Sequence, residues 1–222
     1  SPIFPMSIAA CCALGILSQR NDAPEKAMRP FDRLRDGIVL SEGAVSVVLE
    51  KASQARARGA QVLAEVLGYG SAAEAQSAMI LDPDGWGLAQ AIRMALREAG
   101  MTPENLDCIQ CHGVSLDMYD RSETRAYKTA LGKAAYRIPI SAVKSMIGQS
   151  YAVGGLFGVA AALLSLQTGL IPATINLEEP DTQCDLDYVP QRPRLNDVQI
   201  ALIAAMSFGG THSALVLRRM SS

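Results

Sequence analysis

The amino-acid sequence predicts an α/β fold, a parallel or mixed sheet with helix layers packed on it. Three observations carry this. Segments of strand period and helix period alternate along most of the chain. Helical segments close on glycine, as at Gly59 and Gly100. And 222 residues, 49% apolar and 19% charged, are enough to fill one large core, or half of a larger one.

The elements follow in chain order. "SIAACCALGILSQ" places small and apolar residues at helical spacing, and "RNDAPEKAMRP" interrupts it with polar ones. "RDGIVLSEGAVSVVLEK" predicts two short strands, Ile38–Leu40 and Ala44–Glu50, around a glycine turn; Val45, Val47 and Leu49 alternate as on a half-buried strand. "ASQARARG" predicts a short polar helix and "VLAEVLGYG" a strand. In "GWGLAQAIRMALREAG" Leu88, Ile92, Ala95 and Leu96 share one helix face. Thr102 then caps a turn that has Pro103 in its first position. "LDCIQC" reads as a strand finishing at His112, "SETRAYKTALG" as a helix, and "RIPISAVKS" as a strand running into a loop. "GLFGVAAALLSLQTG" predicts a central buried helix, "PATINLEEPDTQCDLDYVP" a loop-rich stretch, and "VQIALIAAMSFGGTHSALVLRR" two strands hinged at "SFGGT". The chain shows no short-period repeat and no low-complexity linker.

Composition narrows the function classes. A net charge of −2 gives no footprint for nucleic acid or anionic lipid. No run of about 18 apolar residues predicts a membrane span. "SPIFPMSIAACC" lacks the basic start of a signal peptide, and the missing initiator Met suggests a processed product or a fragment. Five scattered cysteines, an odd number, point to reduced thiols and a cytoplasmic location.

The segment "DCIQCHG" carries Cys108-x-x-Cys111-His112, the spacing of a c-type haem attachment site, so a redox or haem-binding module is one reading. Cysteines three apart on a strand face opposite sides, and no second paired cluster completes a metal site. Two core thiols are the favoured reading, with no metal and no cofactor. His112, near a strand's carboxyl edge, is the better functional candidate.

Five ordered motifs resemble those of the β-ketoacyl-ACP synthases of fatty-acid and type II polyketide systems. They are "RNDAPEKAMRPFDRLRDGIVLSEGA", "CHGVSLDMYDRSET", "VKSMIGQS", "PATINLEEPDTQCDLDYVP" and "SFGGT". The resemblance implies a thiolase-like layered fold, with residues 1–222 forming its C-terminal ketosynthase-like region. It implies decarboxylative condensation of malonyl-ACP with an acyl thioester, with acyl carrier protein and a second ketosynthase polypeptide as partners.

By the same resemblance His112 and Lys144 match the family's catalytic histidine and lysine, and Gln149 stands where its second histidine should be. Phe208, Gly209, Gly210 and Thr211 match the gating turn over the nucleophile, and His212 replaces its Asn. Cys11 falls where a bulky aromatic often lines the acyl pocket. Gly158 replaces the lysine's usual glutamate partner, and Val114 and Leu116 replace two threonines. Asp120 and Glu123 match a D-x-x-E pair, expected to be structural acids suited to a helix N-terminus. No segment matches the family's nucleophilic cysteine, so that half is expected to be missing or on another chain.

These departures suggest a catalytically degenerate subunit like a chain-length factor, inactive alone and joined to a working ketosynthase. The alternative is the C-terminal half of a split or cleaved active enzyme, using His112 and Gln149 as oxyanion donors. Half a thiolase fold would also expose a large apolar face, which predicts a tightly associated second polypeptide.

Overall fold

The structure, a computed structural model, describes residues 3–75, 77 and 80–220. In order come α1 (Pro5–Ala13), α2 (Ala52–Ala57), β1 (Ala64–Ala73), α3 (Trp86–Ala99), β2 (Cys108–Gln110), α4 (Asp117–Leu131), β3 (Ile140–Ser141), α5 (Lys144–Ile147) and α6 (Gly154–Thr168). The strands β4 (Leu170–Ile171), β5 (Arg194–Leu195), β6 (Ile200–Met206) and β7 (Thr211–Arg219) follow. The main sheet has five strands in the order β1-β7-β6-β2-β3. β7 pairs antiparallel with β1 and β6, while β2 runs parallel to β6 and β3. The expected mixed sheet between helix layers is present.

The sequence of β6, "IALIAAM", is apolar at every position because both faces of the strand are covered. On one face α3 buries Leu88, Ile92, Ala95 and Leu96 in the same cluster as Ile109, Leu202 and Ala204. On the other, Ala162 and Leu166 of α6 pack in a second cluster with Cys108, Ala201 and Ile203. Two glycines let α3 lie almost on the backbone of β1: a Cβ on Gly68 would sit 2.2 Å from the Ala95 oxygen, and one on Gly70 2.0 Å from that of Ala91.

The motif loops are pinned by buried polar contacts. The Phe31 and Tyr188 rings stack at 3.6 Å. One Asp32 oxygen accepts the N–H groups of Glu178 and Glu179, each at 2.8 Å. Arg35 pairs with Asp117, Asp120 and Asp181. Segments distant in sequence thus close around the start of α4, and the sheet's carboxyl edge is held in place for the site.

Four expectations need correction. Ala44–Glu50 pairs with no strand among the described residues, and Val48 and Leu49 are 85% and 77% exposed. Its alternation encodes a half-buried strand, but no partner strand or covering layer is found within those residues. Ile38 and Leu40 make only isolated bridges, to Leu17 and Gln149. β2 stops at Gln110, so His112 lies just past the strand end. Finally, α6 is buried on one side only, with Leu164 61% exposed. Among the described residues, Tyr151–Thr168 is long and apolar enough to cross a membrane, with a mean hydropathy of 1.4. Its inner side packs on β6 and β2, so the apolar surplus lies on the uncovered side.

Candidate active site

Just beyond β2 the chain turns through His112-Gly113-Val114, and the acids of α4 hold that turn. Glu123 accepts the N–H groups of His112 at 2.6 Å and Gly113 at 2.8 Å, and the Tyr127 hydroxyl at 2.6 Å. Asp120 accepts the N–H groups of Val114 at 3.0 Å and Phe31 at 2.8 Å. Both carboxylates are fully buried. Burial raises the Glu123 pKa, against the pull of its hydrogen bonds from Tyr127, Gly113 and His112. The pair is structural, as expected, but through these loop bonds; Glu123 lies beyond the helix's first turn. The D-x-x-E spacing showed the pair in the sequence, though not the backbone groups it binds.

The imidazole of His112 is fixed by a group no side-chain motif could reveal. The backbone N–H of Met206, at the end of β6, donates to its Nδ1 at 3.2 Å. An Nδ1 that accepts leaves the proton of the neutral ring on Nε2. Burial, then the charge of Lys144, then that of His212 hold the His112 pKa well below the ordinary imidazole value, so the ring is neutral near pH 7.

Lys144 opens α5, beside His112. Its Nζ donates to the His112 carbonyl and lies 3.1 Å from Nδ1. None of the ion pairs among the described residues includes it. Burial brings its pKa down to about 8, with Glu123, Cys111 and Asp120 acting in the opposite sense. Gln149 follows α5, tied by its backbone to Val39 and Ser41, and its Oε1 is buried without a hydrogen-bond partner among the described residues.

His112, Lys144 and Gln149 together line a cavity of about 600 Å³. Val114, Leu116, Tyr119, Phe208 and the α6 residues Gly155 and Val159 supply much of its apolar wall. Of the gating turn only Phe208 lines it, and the Phe208 ring meets Tyr119 edge to face at 5.8 Å. Gly209 and Gly210 give the turn its positive φ angles of 82° and 68°, and Thr211 opens β7. Cys11 does not line the cavity; its Sγ lies 2.9 Å from the hydroxyl of Tyr151, which does. Tyr151 holds a φ of +52° and carried no signal in the sequence.

Among the described residues no cysteine lines the cavity. Cys108 packs on the α6 side of the sheet and Cys111 on the α3 side, so the two cannot hold one group between them. Burial pushes the Cys108 thiol up to about 12 and that of Cys111 well above its ordinary value. The haem and redox reading of CxxCH is therefore set aside. Among the described residues no cluster of His, Cys, Asp or Glu has metal-binding geometry.

The sequence model for the β-ketoacyl synthase C-terminal domain matches residues 63–178, and that for the N-terminal domain matches residues 1–55. The chain belongs to the β-ketoacyl synthase family. It is 46% identical to the tetracenomycin polyketide synthase ketoacyl synthase alpha subunit of Streptomyces glaucescens, over 99% of this chain and 51% of that protein. It is 40% identical to the 3-oxoacyl-(acyl-carrier-protein) synthase 2 of Coxiella burnetii, over 97% of this chain and 52% of that protein.

Among solved structures, a type II polyketide ketosynthase in complex with its acyl-carrier protein superposes with a TM-score of 0.96 at 36% identity, covering 100% of this chain and 54% of that one. The ishigamide ketosynthase/chain length factor gives 0.91 at 36%, covering 99% and 52%. The layered fold of this β-ketoacyl synthase chain is thus the thiolase-like one expected. The chain spans about half the length of the curated relatives it matches.

Proposed function

We propose that this chain works in a β-ketoacyl-ACP synthase assembly that elongates a fatty-acid or polyketide chain in the cytoplasm. In this proposal it is a degenerate subunit of the chain-length-factor kind, shaping the acyl cavity for a partner that carries the nucleophilic cysteine. The observation that carries it is a cavity whose wall joins His112 and Lys144 to Gln149, an amide that cannot exchange a proton near neutral pH. Its partners would be an acyl carrier protein, a second ketosynthase polypeptide, and acyl and malonyl thioesters.

The reaction such an assembly performs sets what the site would need. The bond between the malonyl α-carbon and its carboxylate breaks and CO₂ leaves. The electron pair passes to the α-carbon and delocalises onto the thioester oxygen. The carbanion then attacks the acyl thioester on cysteine and releases the thiolate. An Nε2–H on neutral His112 suits that oxygen, and the Gln149 amide can donate a second bond. Gln149 cannot exchange a proton near neutral pH.

The preserved His112 network favours a second reading, an active enzyme divided between two polypeptides. Gln149→His separates the two in an assembly with a cysteine-bearing ketosynthase and its carrier protein. A divided enzyme should gain condensation rate, up to the roughly 10²–10³-fold typical of one oxyanion donor. A degenerate subunit should show no change, because the partner does the chemistry.

A further inference from the structure

Behind the turn that carries Phe208 lies a buried pair that the condensation chemistry does not use. Glu74 follows β1, and His212 is the second residue of β7. His212 Nε2 lies 2.7 Å from Glu74 Oε1, and the other carboxylate oxygen accepts the Asp82 N–H at 2.8 Å. Both side chains are buried, and neither lines the cavity. The pair is tied to the turn at residues 207–210. The Glu74 N–H donates to the Gly210 carbonyl at 2.9 Å, and a Cβ on Gly210 would meet Glu74 Oε2 at 3.2 Å. From the other side α3 closes in: a Cβ on Gly87 would lie 2.5 Å from His212 Cδ2 and 2.9 Å from Glu74 Cγ. Packed this closely, the pair cannot rearrange without moving the turn.

A carboxylate oxygen accepts, so Nε2 carries the single proton of the neutral ring and Nδ1 is bare. Nδ1 is buried and has no hydrogen-bond partner among the described residues. A second proton would place a donor there with nothing to receive it. That costs the closed arrangement, with Phe208 against Tyr119, roughly ten- to a hundredfold in population. Burial lowers the His212 pKa from its ordinary 6.5, and the opposing pull of Glu74 and Asp82 does not cancel it. The other titratable groups about the pair are His112, on which His212 acts across the site, and Tyr119 of α4, on which Glu74 acts.

We propose that Glu74 and His212 form a proton-sensitive latch on the 207–210 turn: a neutral His212 holds Phe208 at the cavity wall, and a protonated one releases it. Both are positioning residues that act through Phe208. In the released turn water reaches Nδ1 and receives its N–H, so that state binds the proton more tightly. The hold is therefore complete above about pH 6.5 and is lost as pH falls below it. Access to the cavity then follows pH. That an acyl chain passes the turn rests on the function proposed above; the latch itself is read in the chain alone.

The test is amide hydrogen exchange on the full chain between about pH 7.5 and about pH 5, with rates corrected for the intrinsic pH dependence of exchange. The Gly210 and Glu74 amides, both bonded at the turn, report the latch, and the Ile92 and Ala95 amides of α3 report the fold. NMR follows His212, one of two histidines in the sequence. Protection at Gly210 and Glu74 should drop about tenfold as His212 titrates, with α3 unchanged. His212→Asn keeps a donor for Glu74 and removes the titration, so its turn should stay protected at every pH. His212→Gln should do the same and guards against a fold defect peculiar to the first variant.

Unchanged protection across the range, a drop that persists in both variants, or a His212 titration above 6.5 overturns the latch. A drop that α3 shares would be global loosening and overturns it too. Exchange as expected, in a chain that never alters its partner's product, would retain the latch and discard the assembly role.

Discussion

The two sides of the cavity are built to different standards. On the α4 side each buried acid meets its donors: Glu123 takes two backbone N–H groups and the Tyr127 hydroxyl, and Asp120 takes two backbone N–H groups. Toward α6, Gln149 Oε1 on the cavity wall and both polar atoms of Gln110, next to Gly158, are buried with no hydrogen-bond partner among the described residues. Lys144 makes no ion pair among the described residues, and its Nζ donates to the His112 carbonyl. The first side fixes the backbone and the tautomer of His112. The second is where relaxed demand on chemistry would show. Frame and reactivity are thus separable in this chain, because different elements supply them.

The sharpest way to break this contrast is at Glu123. Glu123→Leu strands the N–H groups of His112 and Gly113 and the Tyr127 hydroxyl, and should cost about 3–5 kcal/mol. The midpoint of urea unfolding reads this; a loss below about 1 kcal/mol would mean the turn holds itself.

Lys144 should give the next largest effect. Its ordinary value of 10.5 falls to about 8 in the fold. Between those values the unfolded state binds more protons, so stability of the unliganded chain should rise as pH climbs through that window, by up to about 3 kcal/mol. Lys144→Met should flatten this rise.

Gln110→Leu should behave in the opposite sense to Glu123→Leu. It removes two unpartnered polar atoms in favour of an apolar side chain, and stability should hold or gain by about 1 kcal/mol. A loss above about 2 kcal/mol would show that the amide has bonded partners in solution. The smallest expected signal is in thiol labelling of the native chain. Exposed Cys12 should react first, and buried Cys108, Cys111 and Cys184 should stay protected until unfolding.

The sequence exposed most of the frame, because periodicity and capping are local. Leu88, Ile92, Ala95 and Leu96 did share a buried face, and Gly100 does end α3 in the left-handed region, with φ +64°. Ala44–Glu50 misled because alternation records one face to be covered but not what covers it. At the site, five motifs were enough to bring His112, Lys144 and Gln149 to one cavity. The Met206 N–H that fixes the His112 tautomer was invisible, being a backbone group that any residue could supply. Tyr151 and its contact with Cys11 were hidden because the pairing joins residues 140 positions apart. The Glu74–His212 contact of 2.7 Å, which braces the gating turn from behind, escaped for the same reason.

The central claim is that this chain shapes an acyl cavity and leaves the bond-making to its partner. Val159 lines that cavity from α6, so Val159→Phe would narrow it without touching His112, Lys144 or Gln149. The decisive measurement is the mass of the product released by the variant in an assembly with a cysteine-bearing ketosynthase and carrier protein. The account predicts a shorter product formed at an unchanged condensation rate. An unchanged product length, or a lost rate with length preserved, would contradict it.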